Sequence, residues 1–249
     1  MKNCIKNSTV PKLPVLMYHS VTTSSNESVG LTIDVKKFED HLQYLKSKNY
    51  RALHFKDLEQ IKSAKEFPEK SVIITFDDVY VNQLELAVPL LEKYGFKASF
   101  YIPFKYVGKT NTWDEGKKPI MSVAQLKSLN PEVIELGLHS FSHGNYKDMP
   151  LDKIRTDFEQ SKTFIKNNDL NVSSVLAYPY GKYPKKGDAK NSFLECLDEN
   201  NITYGLRIGN RVNKFPFKNN YEVQRIDIKG EDSLSKFKLK LRYGKLKLF

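Results

Sequence analysis

Seven times along this chain a short apolar run gives way to a stretch whose apolar residues recur at helical spacing, and this alternation constrains the fold most. Strand signals lie at 15–21 (VLMYHSV), 71–78 (SVIITFDD), 97–103 (KASFYIP), 132–140 (EVIELGLHS), 173–181 (SSVLAYPYG), 202–208 (ITYGLRI) and 221–228 (YEVQRIDI), with a shorter one at 51–55 (RALHF). Between them, Phe38, Leu42 and Leu45 mark a helix with Asp34 as its N-cap. Residues 82–95 form a second helix, kinked at Pro89 and closed by Gly95. Ser122 opens a third, Ile154, Phe158, Ser161 and Ile165 line one face of a fourth, and residues 191–200 form a fifth. Strands that alternate with helices form a parallel sheet with the helices packed over it, and a chain of 249 residues suits closure of that sheet into a barrel. The expected class is α/β, a distorted (β/α)7-type barrel, with a flexible N-terminus over 1–12, one domain over 13–235 and a basic, apolar C-terminal tail over 236–249.

No apolar run reaches membrane-spanning length, and mean hydropathy is −0.52. No apolar leader segment precedes Pro11, so no secretory signal is read and a cytoplasmic location is expected. Cys4 and Cys196 make no disulfide framework. The net charge is +11, and about half of it lies in the tail "KFKLKLRYGKLKLF", which has six basic residues and no acid. Such a segment is expected either to touch an anionic membrane surface, placing the protein at the inner membrane face, or to be a solvated terminal element. Charge alone also raises nucleic-acid binding, but no nucleic-acid motif is present and none is expected.

Reactive side chains of a barrel gather at the carboxyl ends of its strands. Four expected strands end in such residues: His19, the adjacent Asp77 and Asp78, His139, and Tyr180. Two neighbouring carboxylates on a regular strand point in opposite directions, so they are expected to do different work. His143 follows His139 by four residues, and a turn between them brings two imidazoles together. Two imidazoles and a carboxylate form a facial set that suits a divalent metal: zinc foremost, and also cobalt, nickel, iron or manganese. Against this, a lone Asp-Asp is often a helix N-cap and a lone His-x3-His is often coincidence.

"TFDD" together with "HSFSH" closely resembles the first two motifs of the polysaccharide deacetylases (NodB-type, carbohydrate esterase family 4). The similarity runs from about Val15 to about Ile228. "VLMYHSV" resembles the circularly permuted branch, which includes poly-N-acetylglucosamine deacetylases. The resemblance implies one divalent metal on Asp78, His139 and His143. It also implies Asp77 as general base, His19 as general acid, and an oxyanion held by the Tyr180 backbone amide. Many members have Gly where this chain has Val79. The more usual third motif has an Arg where Ala177 stands, leaving the residue that orients Asp77 unnamed.

The implied activity is hydrolysis of the acetamide of an N-acetylated sugar in surface-glycan biosynthesis. The expected substrate is a glycan precursor such as a polyprenyl-phosphate-linked N-acetylhexosamine. Alternatives are hydrolysis of an N-formyl or O-acetyl group, and a non-catalytic glycan binder on the same fold. Candidate substrate contacts are Tyr18, Trp113 and Tyr183 by stacking, Pro179 in "YPYG", and Arg225, which is placed to reach the rim and touch Asp77 or substrate. His41 and His54 are expected to be structural, and Ser140 and Ser142 to make local hydrogen bonds.

Overall fold

The computed structural model describes residues 10–245 apart from 62, 64, 65 and 115. Cys4 and most of the expected flexible N-terminus therefore lie outside the described residues, as does the end of the tail, 246–249. Seven parallel strands close into a barrel: β1 (Val15–Tyr18), β2 (Ser71–Asp77), β3 (Ala98–Ile102), β4 (Ile134–Leu138), β5 (Val175–Ala177), β6 (Tyr204–Ile208) and β7 (Val223–Asp227). Sequential strands are neighbours throughout. Closure is made where β1 pairs with both β2 (Val15↔Ile73) and β7 (Leu16↔Ile226). The barrel is distorted: β4 and β5 share only the Leu138↔Leu176 pairing. The expected strand at 51–55 shortens to Arg51–Ala52 on the edge of β2, because His54 and Asp57 form a capping box that starts a helix there.

Helices cover the barrel where the apolar spacing places them. They are α1 (Val35–Ser47), α2 (Phe55–Glu59), α3 (Val88–Tyr94), α4 (Val123–Ser128), α5 (Leu151–Asn167), α6 (Gly187–Glu199) and α7 (Leu234–Tyr243). Asp34 caps α1 by accepting from Lys36 N at 2.7 Å, and α1 buries Phe38, His41, Leu42 and Leu45. Pro89 falls in the first turn of α3, after a π-helical turn over Gln83–Ala87. Proline is tolerated in a first turn because its missing N–H has no helical partner there. Gly95, at φ +71°, ends α3 in the left-handed conformation.

Alternation along the strands sorts the core into two parts. Outward residues such as Leu16, Tyr18, Phe76 and Phe100 pack under the helices. Inward residues such as Val15, Ile73, Tyr101, Leu206 and Val223 fill the barrel, with Phe55 and Phe215 among the same cluster. Tyr18 is therefore a core residue and not a substrate contact. It packs on Phe38 and Phe76, and its hydroxyl meets His41 Nδ1 at 3.0 Å. The apolar run "VLMY" is buried on both faces, so the sequence pattern does not show which of Tyr18 and His19 faces inward. Tyr183 is likewise buried, stacked on Tyr178.

Residues 234–243 of the C-terminal region form α7, capped by Ser233 and docked on α1. Phe237 stacks on His41 with ring centroids 3.8 Å apart, and Leu241 is buried beside it, so these apolar groups face the protein and not a lipid phase. Lys240 is buried too, donating to Asp227 O at 2.6 Å and to Asp232. None of the described helices is long and apolar enough to cross a membrane.

Candidate active site

At the carboxyl end of β2 the chain leaves regular strand geometry. Asp78 and Val79 have φ of +75° and +45°, with Asp78 N still bonded to Tyr101 O at 3.0 Å. This turn changes the expected outcome for the two carboxylates. On a regular strand they diverge; here both come within 4 Å of His139 Nε2, Asp77 Oδ2 at 3.8 Å and Asp78 Oδ1 at 3.6 Å. A β-branched residue at positive φ is strained, which gives a physical reason for Gly at the position of Val79 in similar sequences.

The loop after β4 makes a second such turn. Ser140 and His143 have φ of +67° and +55°, and the chain curls so that His143 Nε2 returns to 3.4 Å from Asp78 Oδ1. Asp157, on the buried face of α5, holds this curl. It accepts from Ser140 Oγ (3.0 Å), Phe141 N (2.8 Å), Ser142 N (3.0 Å), Ser142 Oγ (2.8 Å) and Tyr146 Oη (3.1 Å). The two serines thus make local bonds, as expected. No motif marks Asp157 in the sequence. The available signal was a carboxylate beside Phe158 on the apolar face of an amphipathic helix.

Donor atoms of Asp78, His139 and His143 all lie within 4.8 Å of one another, and all three residues are buried. His139 Nδ1 is 2.7 Å from Ala177 O, so Nδ1 carries the proton and Nε2 presents a lone pair. Burial pushes the His139 imidazole down to about 4 against the opposing pull of Asp77, which keeps it neutral and fit to ligate. His143 Nδ1 lies 3.2 Å from the Tyr180 hydroxyl, which holds the ring in place. Asp78 Oδ1 is buried without a hydrogen-bond partner. A buried carboxylate oxygen facing two imidazole nitrogens is what a cation site requires, so these residues fit a divalent metal. Burial raises the Asp78 carboxyl, but the closeness of His143, then His19 and His139, outweighs it and holds the group ionised.

Asp77 faces the barrel interior. Arg225, fully buried on β7, clamps it with Nη1–Oδ1 at 2.5 Å and Nη2–Oδ2 at 2.8 Å. Burial again raises the carboxyl, and the Arg225 guanidinium foremost, with His139 and His19 close by, more than reverses that, holding Asp77 well below the usual carboxylate range. Arg225 is thus the missing orienting residue, reaching Asp77 from the last strand instead of from the position of Ala177. His19 Nε2 is 3.5 Å from Asp77 Oδ2, and Arg225 Nη1 also reaches Thr75 Oγ1 at 3.4 Å. Gln83 ties these strand ends together, donating to Asp77 O and His19 O at 2.6 and 3.0 Å.

Aromatic rings wall the site. Trp113 stacks on His143 with centroids 4.4 Å apart, and Tyr106 packs edge-on against Trp113. Tyr180 sits at the rim with φ +59° and is 49% exposed, while Pro179 before it is buried in the turn and offers substrate little surface. Tyr80, also not read from the sequence, is buried with its hydroxyl 3.4 Å from Asn111 Nδ2. Burial, with Asp78 next to it, raises the Tyr80 hydroxyl far above its ordinary value.

A family model described as polysaccharide deacetylase matches residues 64–196. The Bacillus subtilis protein YxkH is 29% identical over 180 residues, which is 72% of this chain and 60% of that protein. A poly-beta-1,6-N-acetyl-D-glucosamine N-deacetylase of Staphylococcus epidermidis is 26% identical, covering 86% of this chain and 74% of that one. Among solved structures, the Streptococcus pyogenes deacetylase PplD, in complex with acetate, superposes with a TM-score of 0.76 at 23% identity, covering 94% and 99% of the two chains. IcaB from Ammonifex degensii gives 0.75 at 21%, covering 93% and 97%. These two likenesses establish the barrel. With the family model covering more than half the sequence, the chain belongs to the polysaccharide deacetylase family.

Proposed function

We propose that this protein is a metal-dependent N-deacetylase that hydrolyses the acetamide of an N-acetylated glycan. One observation carries the reading: Asp78, His139 and His143 converge into a buried donor set, and Asp77 and His19 flank it within 4 Å contacts at one end of the barrel. An acetamide is a poor electrophile and its amine does not leave as an anion, so its hydrolysis needs an activated water, a polarised carbonyl and a proton donor. Asp78, His139 and His143 would hold a divalent ion, which when bound would lower the pKa of a water from about 15.7 to near 7 and act as a Lewis acid toward a carbonyl.

The chain supplies the rest. Asp77, kept ionised and fixed by Arg225, takes the proton from the attacking water. His19, 3.5 Å from Asp77, delivers a proton to the departing amine nitrogen. The backbone N–H of Tyr180, on the left-handed turn after β5, donates to the tetrahedral oxygen, and one such donor contributes on the order of 3 kcal/mol. Trp113 and Tyr180 form the surface against which a sugar ring stacks.

The name of the staphylococcal relatives supports a poly-N-acetylglucosamine substrate. A polyprenyl-phosphate-linked N-acetylhexosamine in surface-glycan biosynthesis, at the inner face of a membrane, is the second substrate reading; its support is the basic C-terminal sequence. Zinc is the proposed ion. Acetate release by metal-loaded protein from β-1,6-linked N-acetylglucosamine oligomers, a lipid-linked N-acetylhexosamine, and matched N-formyl and O-acetyl sugars tests the proposal. Turnover confined to the formyl or O-acetyl substrates would overturn it, and so would binding of oligomers with no turnover at all.

A further inference from the structure

Away from the active site, the loop after β6 and the end of α7 enclose a groove of about 690 Å³. Among the described residues its lining includes five cations, Lys12, Arg211, Lys214, Arg242 and Lys245, and no carboxylate. All five are exposed, and none makes an ion pair with a described residue. Exposed lysines without an ion pair to a described residue also lie along α5, as at Lys153, Lys162 and Lys166; what sets the groove apart is that five cations share one concavity. Holding five unpaired cations around one concavity is unfavourable by mutual repulsion. A cleft of one sign concentrates counter-charge.

The groove is also built. Gly244 has φ +75°, and a Cβ there would meet Asn210 O at 2.4 Å, so only glycine lets α7's end close onto the 209–213 loop. Lys245 N then donates to Asn210 O at 2.8 Å. Lys12 and Lys214 are brought together by the Lys12↔Lys214 pairing of two short antiparallel strands. At its other end the wall starts at Gly209, next to Ile208, which packs on Gly181 beside Tyr180.

We propose that this groove binds a linear, phosphate-bearing polyanion. Arginine forks and lysine ammonium groups match phosphate oxygens, and five cations spread around one groove favour a repeating charge over a single one. A base-stacking nucleic acid fits less well. The one aromatic ring of the lining, Tyr243, has the Arg242 guanidinium 5.1 Å above it and is half exposed, so the groove offers a base a single ring and not a row of stacking platforms. A bilayer fits less well too, because the site is concave and Phe237 and Leu241 of α7 point into the protein, which leaves only Leu239 and Tyr243 half exposed on that helix. The inference rests on the groove and not on the deacetylation reading.

The test is binding of inorganic polyphosphate to the full chain by calorimetry, between about 50 and 200 mM salt. The triple variant Arg211→Gln/Lys214→Gln/Arg242→Gln is compared with Lys153→Gln/Lys162→Gln/Lys166→Gln, which removes the same charge from exposed positions of α5. Thermal melts of both variants verify folding. The expected result is affinity lost at least about tenfold in the groove variant and less than about twofold in the control, with weaker binding as salt rises. Equal loss in both variants, or no binding by the native chain, would overturn the proposal. So would equal or tighter binding of a single-stranded oligonucleotide of matched charge, or stronger capture by phosphatidylglycerol vesicles than by polyphosphate.

Discussion

Arg225 grips both carboxylate oxygens of Asp77 from across the barrel, at 2.5 and 2.8 Å, with both side chains closed off from water. The pair links the last strand of the sequence to the second, and it sets both the charge and the direction of the proposed base. Replacing Arg225 by Met strands a buried carboxylate. Loss of about 3–5 kcal/mol of stability is expected from denaturant melts. The acid limb of the rate–pH profile is expected to move to higher pH, because Asp77 loses the charge that most lowers its proton affinity. An unchanged acid limb in a folded variant would show that Arg225 does not tune Asp77.

Asp157 makes no contact with the proposed metal, yet it accepts five hydrogen bonds from the loop that carries His143. Asp157→Asn keeps the volume and turns one acceptor into a donor facing donors. Metal affinity is expected to fall about 10–100-fold, measured by competition with a chromophoric chelator. Native affinity in this variant would mean the curl is held by other forces.

Trp113 lies flat on His143 and borders the site. Trp113→Ala removes a stacking surface for the sugar without touching Asp77 or His19. KM for the oligomer is expected to rise about 3–10-fold with a smaller change in kcat. A fall in kcat with KM unchanged would assign Trp113 to holding His143 and not to binding.

His41 makes stability depend on pH. Burial pushes its imidazole down to about 3, with Asp232 opposing and Lys37 and Lys240 assisting. The unfolded chain takes up that proton near 6.5, so between about 6.5 and 3 the unfolded state binds more protons than the folded one. The contribution is complete above 6.5 and is lost as pH falls through this window, by up to several kcal/mol. Urea melts from pH 7 to pH 4 should show that slope flattened in His41→Gln. Parallel slopes for both proteins would contradict it.

Much of the site was legible because each motif ends an apolar run: Asp77 and Asp78 after "SVIITF", His139 after "IELGL", His19 after "VLMY". The barrel was legible from alternation, since its strands and helices differ in apolar period. What escaped was set by tertiary packing. Tyr18 and His19 differ only in which face they present, and a strand buried on both sides carries no pattern to tell them apart. Asp157 and Tyr80 act through loops and burial that appear only once α5 and the 104–121 segment are packed. Arg225 was a candidate by its place on the last strand, but its clamp on Asp77 depends on barrel closure through β1.

The most direct test compares the native chain with Asp77→Asn, each loaded with zinc and verified to hold one ion per chain. Acetate release from N-acetylglucosamine oligomers is the readout. The native protein is expected to turn over, and the variant to bind the ion equally while its rate falls about 10²–10⁴-fold. Acetate release at the native rate by Asp77→Asn, or none from the zinc-loaded native protein on any acetylated sugar, would contradict the assignment of this site as a deacetylase.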